Sequence, residues 1–286
     1  NLKTYLKAQD TFSDYDFEGA GMSILIDILA YNTHYMGYYA NMLGNEMFLD
    51  SSALRESVIS HAKHLNVIPS SAKCAAAYLN FTFTPSGSPT SLTIEKNTKF
   101  TSSIDGISYT FATTKSTTIL PVGSTYSTTN IEIKEGKILT KQYTVDSTNT
   151  TQRFLIPNKN VDTSTIVVTV QNSANDSTVA TYVDGNSLDI TTITSYQKVY
   201  FMQEVENKEY ELFFGDGAVG KQLSDGNIIF IEYMVTKGSL ANKASTFTAS
   251  GTVAGQTSAN YTLTTALAAT GGAAIESMKS LKNNAP

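Results

Sequence analysis

The sequence predicts an α+β fold: an N-terminal helical hairpin module, a mainly antiparallel β module, and the start of a further helical segment at the C-terminus. Two observations predict it. Apolar residues recur at the helical spacing i, i+3, i+4 within residues 1–66, and from Ala75 the period changes to two. Turn residues such as Asp105-Gly106 then separate short alternating runs, as is typical of antiparallel sheets. With 286 residues, the chain is long enough for two domains.

The helical module is expected to contain two main helices. A short apolar pattern at residues 2–6 precedes a long one that runs from Met22 to about Met47. Asp50 or Ser51 can cap a second helix, which ends before Pro69. Two helices joined in this way form a hairpin whose apolar face needs cover from the rest of the chain or from another subunit.

The β module is expected as short strands rich in Thr, Ile and aromatic residues. These strands are residues 77–83, 98–101, 108–113, 131–139, 141–145, 154–156, 166–170, 198–204, 209–214 and 227–235. We divide the chain into a helical partner-binding module (1–70), a β-rich domain (71–200), strands with a glycine-rich turn (201–250), and a linker with the start of a further segment (251–286). A helix is expected to start at Gly271-Gly272. The first residue is not Met and no domain end is visible at Pro286, so we expect the polypeptide to continue at both ends.

Composition excludes several classes of function. The net charge of −5 and a pI of about 5.2 argue against nucleic-acid binding, which needs a basic face. The single cysteine, Cys74, excludes an intrachain disulfide and a multi-cysteine zinc site. No apolar run reaches the ~20 residues that cross a bilayer, so we expect no membrane insertion.

Two motifs imitate ligand sites. Residues 14–19 match the first half of a calcium EF-hand loop, but position 12 of the loop, which needs a bidentate Glu, is Leu25. Gly215-Asp-Gly-Ala-Val-Gly-Lys221 fits the spacing of nucleotide-binding loops, which must open a helix to hold phosphate. A strand pattern follows instead, so we interpret the segment as a glycine-rich turn between strands. Neither motif predicts a cofactor.

No residue set predicts catalysis. His61 and His64 lie one helical turn apart, but no third metal ligand is nearby. The nucleophile motif G-x-S-x-G is absent, and Cys74 has no recognisable His partner. Paired carboxylates stay possible on sequence alone. We therefore predict no catalytic, cofactor-binding or metal-binding residues, and a protein that is not an enzyme.

The long helix is the best candidate for a functional surface. Its tyrosines, Tyr31, Tyr35, Tyr38 and Tyr39, could stack on bases, but no Lys or Arg lies between Gly21 and Asp50. Packing against another helix or subunit is the better interpretation. The predicted partner-binding residues are Met22, Leu25, Ile26, Leu29, Tyr31, Tyr35, Met36, Leu43, Leu54 and Val58.

Four stretches resemble one family of virion proteins. They are Phe12-Ser-Asp-Tyr-Asp-Phe-Glu-Gly19 with residues 27–35, residues 53–58 running to 68–73, Tyr210-Glu-Leu-Phe-Phe-Gly-Asp-Gly217, and Gly271-Gly272 with Ile275-Glu276. The first two are long and specific, and the third is shared more widely. The family is that of the baseplate wedge subunits of T4-like contractile-tailed phages (gene product six, baseplate J-like). Residues 85–200 carry little of the resemblance.

The resemblance implies a structural subunit of the tail baseplate in the virion, assembled in the host cytoplasm. Such subunits join wedges into a ring around the hub and transmit rearrangement during tail contraction. The implied partners are a second copy of the chain, other wedge proteins bound through the N-terminal helices, and neighbouring wedges. The alternative is a receptor- or glycan-binding tail protein, possibly with glycosidase activity, which the Thr- and Ser-rich strands would suit.

Overall fold

The computed structural model describes residues 2–9, 11, 21–65, 67, 69–149 and 151–284. The chain divides into two compact units, one formed by residues 1–68 with 278–286 and the other by residues 69–277. The first unit is helical and the second consists mainly of antiparallel sheets. The predicted α+β class is therefore confirmed.

The α-helices are α1 (Leu2–Lys7), α2 (Gly21–Glu46), α3 (Arg55–His64) and α4 (Met278–Asn284). The last one begins later than Gly271-Gly272, where we expected its start. A Cβ on Gly272 would lie 2.5 Å from the carbonyl oxygen of Gly238. The glycine pair thus permits a close approach of two backbones, and the helix follows it. Among the described residues, no helix combines the length and apolar content that a membrane crossing needs.

The helical unit has a small core of its own. Val58 and Ile59 of α3 pack with Leu281 of α4, and Leu49 lies partly buried against them. Lys282 Nζ donates to the carbonyl oxygens of Asp50 and Ser52, at 2.8 and 2.7 Å. Helix α4 therefore covers α3, although the two helices lie at opposite ends of the sequence.

The strands of the second unit form a six-stranded, a seven-stranded and a two-stranded sheet. Their bounds are β1 Ala76–Phe83, β2 Leu92–Ile94, β3 Lys99–Ile104, β4 Ile107–Thr113, β5 Thr117–Ile119, β6 Tyr126–Glu135, β7 Lys137–Thr144, β8 Phe154–Ile156, β9 Val161–Gln171, β10 Val179–Asp184, β11 Val199–Glu204, β12 Tyr210–Phe214, β13 Ile228–Val235, β14 Thr248–Ala249 and β15 Tyr261–Thr270.

The six-stranded sheet has the order β14-β3-β4-β6-β1-β15. Its buried face includes Phe81, Phe83, Phe100 and Phe111, which are essentially inaccessible to solvent. Residues 243–249 link its two edges. Their first part exchanges backbone hydrogen bonds with Ala269 of β15, at 2.7 and 2.8 Å, and their last part is β14.

The seven-stranded sheet has the order β7-β13-β9-β10-β11-β12-β8 and a separate core that includes Val168, Leu212, Ile229 and Ile231. Its neighbours are antiparallel except β10 and β11, which run parallel. Residues 137–235 supply all of its strands. The chain therefore leaves the six-stranded sheet after Glu135 and returns to it after Val235, so that the seven-stranded sheet is an insertion within the other.

Several elements differ from those predicted. Strands β2, β5 and β10 were not expected, and the predicted run 131–139 is two strands that turn at Gly136. Residues 261–270, expected within a linker, form the ten-residue strand β15. Its Thr- and Ala-rich sequence has weak alternation, and it is held as a strand by pairing along β1.

Candidate partner-binding helix

Helix α2 exposes an unusual amount of apolar surface. Eleven of its apolar and aromatic side chains have exposed fractions between 39% and 69%. They are Ile24, Leu25, Ile28, Leu29, Tyr31, Tyr35, Met36, Tyr38, Tyr39, Met42 and Leu43. Met47 and Phe48, which follow the helix, are exposed as well. Contiguous apolar surface of this extent is typical of an interaction site.

These side chains cover one side of the helix. At about 100° per residue they span roughly half of its circumference. The opposite side carries small residues, among them Ala30, Gly37, Ala40 and Gly44. An ordinary surface helix turns a narrower apolar stripe toward its own core and a charged face toward water. In α2 the wide apolar side faces solvent, which suits a helix that packs against another chain. We call this side, formed by the eleven residues above, the α2 face.

Tyrosines form a continuous ladder along the α2 face. The ring centroids of Tyr31 and Tyr35 are 4.6 Å apart, and those of Tyr35 and Tyr39 are 6.1 Å apart. The hydroxyls of Tyr31 and Tyr35 are hydrogen-bonded at 2.8 Å, which raises the pKa of Tyr31. Aromatic rings of this kind supply large contact area at low entropic cost, because each has two side-chain torsions.

The C-terminal end of α2 is fixed by its last residue. Glu46 Oε1 accepts hydrogen bonds from the backbone N–H groups of Ala53 and Leu54, at 2.8 and 3.3 Å. The carbonyl oxygen of Glu46 lies 2.8 Å from His61 Nε2 on α3. A hydrogen bond from Ser57 and then those from Ala53 and Leu54 hold the pKa of the Glu46 carboxyl below its ordinary value. One glutamate thus ties α2 to the start of α3.

This tie predicts a pH-dependent corner between α2 and α3. Because the folded-state pKa of Glu46 is depressed, its contribution to stability is present above the unfolded-state pKa and is lost as pH falls through the folded value. We expect the amides of Ala53 and Leu54 to lose hydrogen-exchange protection in that acidic range. In Glu46→Gln their protection should not change with pH there. An ordinary carboxyl pKa for Glu46 in an NMR titration would contradict the prediction.

The predicted partner-binding residues fall into two groups. Seven are exposed: Leu25, Leu29, Tyr31, Tyr35, Met36, Leu43 and Leu54. All of these except Leu54 lie on the α2 face. Ile26 is only 6% exposed and Val58 is fully buried. Helical spacing did not separate Val58 from the exposed set, because Val58 is covered by Leu281, which is distant in sequence. We therefore do not count either of them as part of the exposed partner surface. The side chain of Met22 lies outside the described residues.

The predicted partner-binding residues omit five members of the α2 face: Ile24, Ile28, Tyr38, Tyr39 and Met42. The two tyrosines belong to the set expected to pack against another helix or subunit, whereas the other three were missed. The apolar residues of α2 were interpreted as one narrow stripe. A helical projection of the same sequence would have found them, because it shows a half-circumference of apolar residues opposite a side of Ala, Gly, Ser and Thr.

The glycine-rich turn after β12 is built from internal contacts. Asp216 Oδ1 accepts hydrogen bonds from the backbone N–H groups of Ala218 and Val219, both at 2.9 Å, and these donors lower the pKa of Asp216. A Cβ on Gly215 would lie 2.2 Å from the carbonyl carbon of Gly220, so the loop closes tightly on itself. Strand β13 follows, where a nucleotide-binding loop would need a helix.

The other candidate ligand sites gain no support. The acidic segment 14–19 lies outside the described residues. His61 faces a backbone carbonyl oxygen. Within the part of the chain that the structure describes, no group of three or more His, Cys, Asp or Glu side chains could hold a metal ion.

Comparison with known proteins gives consistent matches. Residues 1–66 match the family described as baseplate wedge protein gp6-like, helical domain. Residues 137–238 match the family described as bacteriophage baseplate wedge protein gp6, third domain, and this range nearly coincides with the inserted seven-stranded sheet. The chain is 26% identical over 271 residues to the baseplate wedge protein gp6 of Enterobacteria phage T4. The match covers 88% of this chain and 40% of the relative, so the chain spans less than half of the relative's length.

Proposed function

Because the chain belongs to the gp6 family of bacteriophage baseplate wedge proteins, we propose that it is a structural subunit of the tail baseplate in the virion. In this proposal the subunit joins wedges into a ring around the hub and transmits rearrangement when the tail contracts. It works by making and repacking interfaces, without bond chemistry.

The α2 face carries this proposal. A 26-residue helix with exposed apolar and aromatic residues along half of its circumference is costly to leave in water, and burial against other helices removes that cost. Charged side chains are nearly absent from α2, where Asp27 and Glu46 are the acidic residues and Lys and Arg do not occur. The surface therefore suits apolar helix packing better than charge pairing.

The proposed partners follow from this surface and from the family. They are other wedge proteins, which contact the α2 face through their own helices, together with a second copy of the chain and neighbouring wedges. Assembly would take place in the host cytoplasm, before the tail is complete. Leu54, which is 47% exposed at the start of α3, lies outside the face and is a weaker candidate for contact.

Charge substitution on the α2 face tests the proposal. We expect the double variant Leu25→Lys, Leu29→Lys to bind the wedge proteins of the same phage at least about thirtyfold more weakly, which corresponds to a loss of about 2 kcal/mol at an interface hot spot. Both side chains are more than half exposed, so the variant should fold normally. Light scattering of the mixed proteins measures the binding, and circular dichroism of the variant alone shows whether it folds.

The matched control places the same two charges on the other side of the helix. Ala30→Lys, Asn41→Lys lies outside the α2 face at two exposed positions. It should assemble as the unmodified chain does. Equal assembly by the two double variants would show that the α2 face is not the partner surface.

A further inference from the structure

The two large sheets of the β unit are tied at a buried carboxylate where the chain passes between them. Glu135, the last residue of β6, is 3% exposed. Its Oε2 accepts hydrogen bonds from Thr236 Oγ1 at 2.6 Å and from the Lys237 backbone N–H at 3.0 Å. Thr236 Oγ1 in turn accepts from the Gly238 N–H at 2.9 Å. One carboxylate therefore joins the segment that leaves the six-stranded sheet to the segment that returns to it.

A second buried carboxylate makes an independent tie. Asp162 on β9 is 2% exposed, and its Oδ2 accepts a hydrogen bond from the backbone N–H of Cys74, just before β1, at 2.8 Å. Its Oδ1 is held by the N–H and hydroxyl of Ser164, at 3.0 and 2.6 Å. Next to it, the hydroxyls of Thr163 and Ser71 are hydrogen-bonded at 2.9 Å. The seven-stranded sheet is thus fastened to the strand that starts the other sheet.

The covalent connections between the two sheets would by themselves permit hinge motion. Only two chain crossings connect the sheets, and both contain a glycine in the left-handed region, Gly136 with φ 133° and Gly238 with φ 64°. The partly exposed ion pair between Lys96 and Glu232 also links the sheets, but ion pairs that solvent reaches contribute little. Buried carboxylates differ, because breaking their hydrogen bonds leaves a charge without solvation.

We propose that Glu135 and Asp162 lock this two-crossing hinge, so that the inserted seven-stranded sheet and the six-stranded sheet move as one rigid body. A rigid body of this kind passes displacement from a contact on one sheet to a contact on the other without absorbing it. This inference concerns the β unit alone and does not depend on the function proposed above.

The reactivity of Cys74 can report on opening of the junction between the two sheets. Cys74 is the only cysteine among the 286 residues and is 5% exposed. Burial, then the neighbouring Asp162 and, to a smaller extent, Glu135 raise the pKa of its thiol. These effects act on the buried thiol, whereas the reagent reacts with the thiol of the opened state, which is surrounded by water. A thiol reagent such as dithiobis-nitrobenzoate can react with Cys74 only when the junction opens, so the reaction rate measures opening.

The test compares the thiol reaction rates of the unmodified chain, Glu135→Ala and Glu132→Ala. We expect Glu135→Ala to react about tenfold faster or more, because two donors lose their charged acceptor. Glu132 is the matched control. It lies on the same strand, and its carboxylate contacts Tyr78 at 3.4 Å within the six-stranded sheet. Its variant should react within about twofold of the unmodified chain. An unchanged rate in a folded Glu135→Ala variant would overturn the proposal.

Two further measurements separate a lock from general stabilisation. Local opening of the hinge exposes little surface, so the faster reaction should depend weakly on low concentrations of urea. A rate that rises with urea as steeply as global unfolding would overturn the proposal. If Glu135→Ala does not fold, Thr236→Val provides the test, because it removes the hydroxyl that donates to Glu135 and accepts from the Gly238 N–H but keeps the hydrogen bond from the Lys237 N–H to Glu135. It should still accelerate the reaction, and an unchanged rate in that folded variant would count against the lock.

Discussion

Gly136→Ala is expected to lower the free energy of unfolding of the β unit by roughly 3 kcal/mol or more. Gly136 has φ 133°, which L side chains rarely adopt. A Cβ there would lie 2.5 Å from the carbonyl oxygen of Val235 and 3.2 Å from its carbonyl carbon. Both atoms belong to the backbone of the neighbouring chain crossing, so they cannot move aside without disturbing the junction. Urea unfolding followed by circular dichroism measures the loss.

Gly87→Ala is the matched control for this substitution. Gly87 also has a positive φ, 100°, but no atom lies within 4 Å of its added Cβ. Gly87→Ala should therefore lower the free energy of unfolding by only about 1–2 kcal/mol, which is the cost of a positive φ for an L residue. If both variants lowered the free energy of unfolding equally, the close approach of Gly136 to Val235 would not contribute to stability, and the prediction would be wrong.

Val58→Asp is also expected to have a large effect: it should lower the free energy of unfolding of the helical unit by about 4 kcal/mol or more. Val58 is fully buried against Leu281 and Ile59, and no solvent reaches it. An aspartate there must either remain protonated or expel α4 from α3. Hydrogen exchange of the α3 amides measures the loss as reduced protection.

Leu25→Asp provides the comparison on the exposed surface. Leu25 is 62% exposed, so the same charge should change the stability of the chain by no more than about 0.5 kcal/mol. The sequence analysis predicted both Val58 and Leu25 as partner-binding residues, and this pair of variants distinguishes the buried one from the exposed one. Similar loss of α3 protection in both variants would contradict the assignment of Val58 to the core and Leu25 to the surface.

Local patterns in the sequence predict much of this fold. The alternation of residues 77–83 places Leu79, Phe81 and Phe83 on one face of β1, and all three are buried. The helical spacing after Gly21 likewise predicts α2, which ends at Glu46. In both cases the period of the apolar residues is strong enough to identify the element without knowledge of its neighbours.

Other features depend on residues distant in sequence and could not be predicted from local patterns. Strand β15 is defined by pairing with β1, since its Thr- and Ala-rich sequence gives little contrast between its faces. Ile26 and Leu25 are adjacent in the same apolar pattern, yet one is buried and the other exposed. The spacing identifies which residues are apolar, and tertiary packing decides which of them are available to a partner.

The insertion of one sheet within the other has a consequence for the order of folding. Strand β1 can pair with β15 only after residues 137–235 have been synthesised, because β15 follows them in the sequence. The inserted sheet is contiguous in sequence, so its strands can meet while the rest of the chain is still emerging from the ribosome. The six-stranded sheet has the larger separation between paired strands and closes last. During translation, the edge of β1 that later receives β15 is therefore open for the whole time that the inserted sheet takes to form.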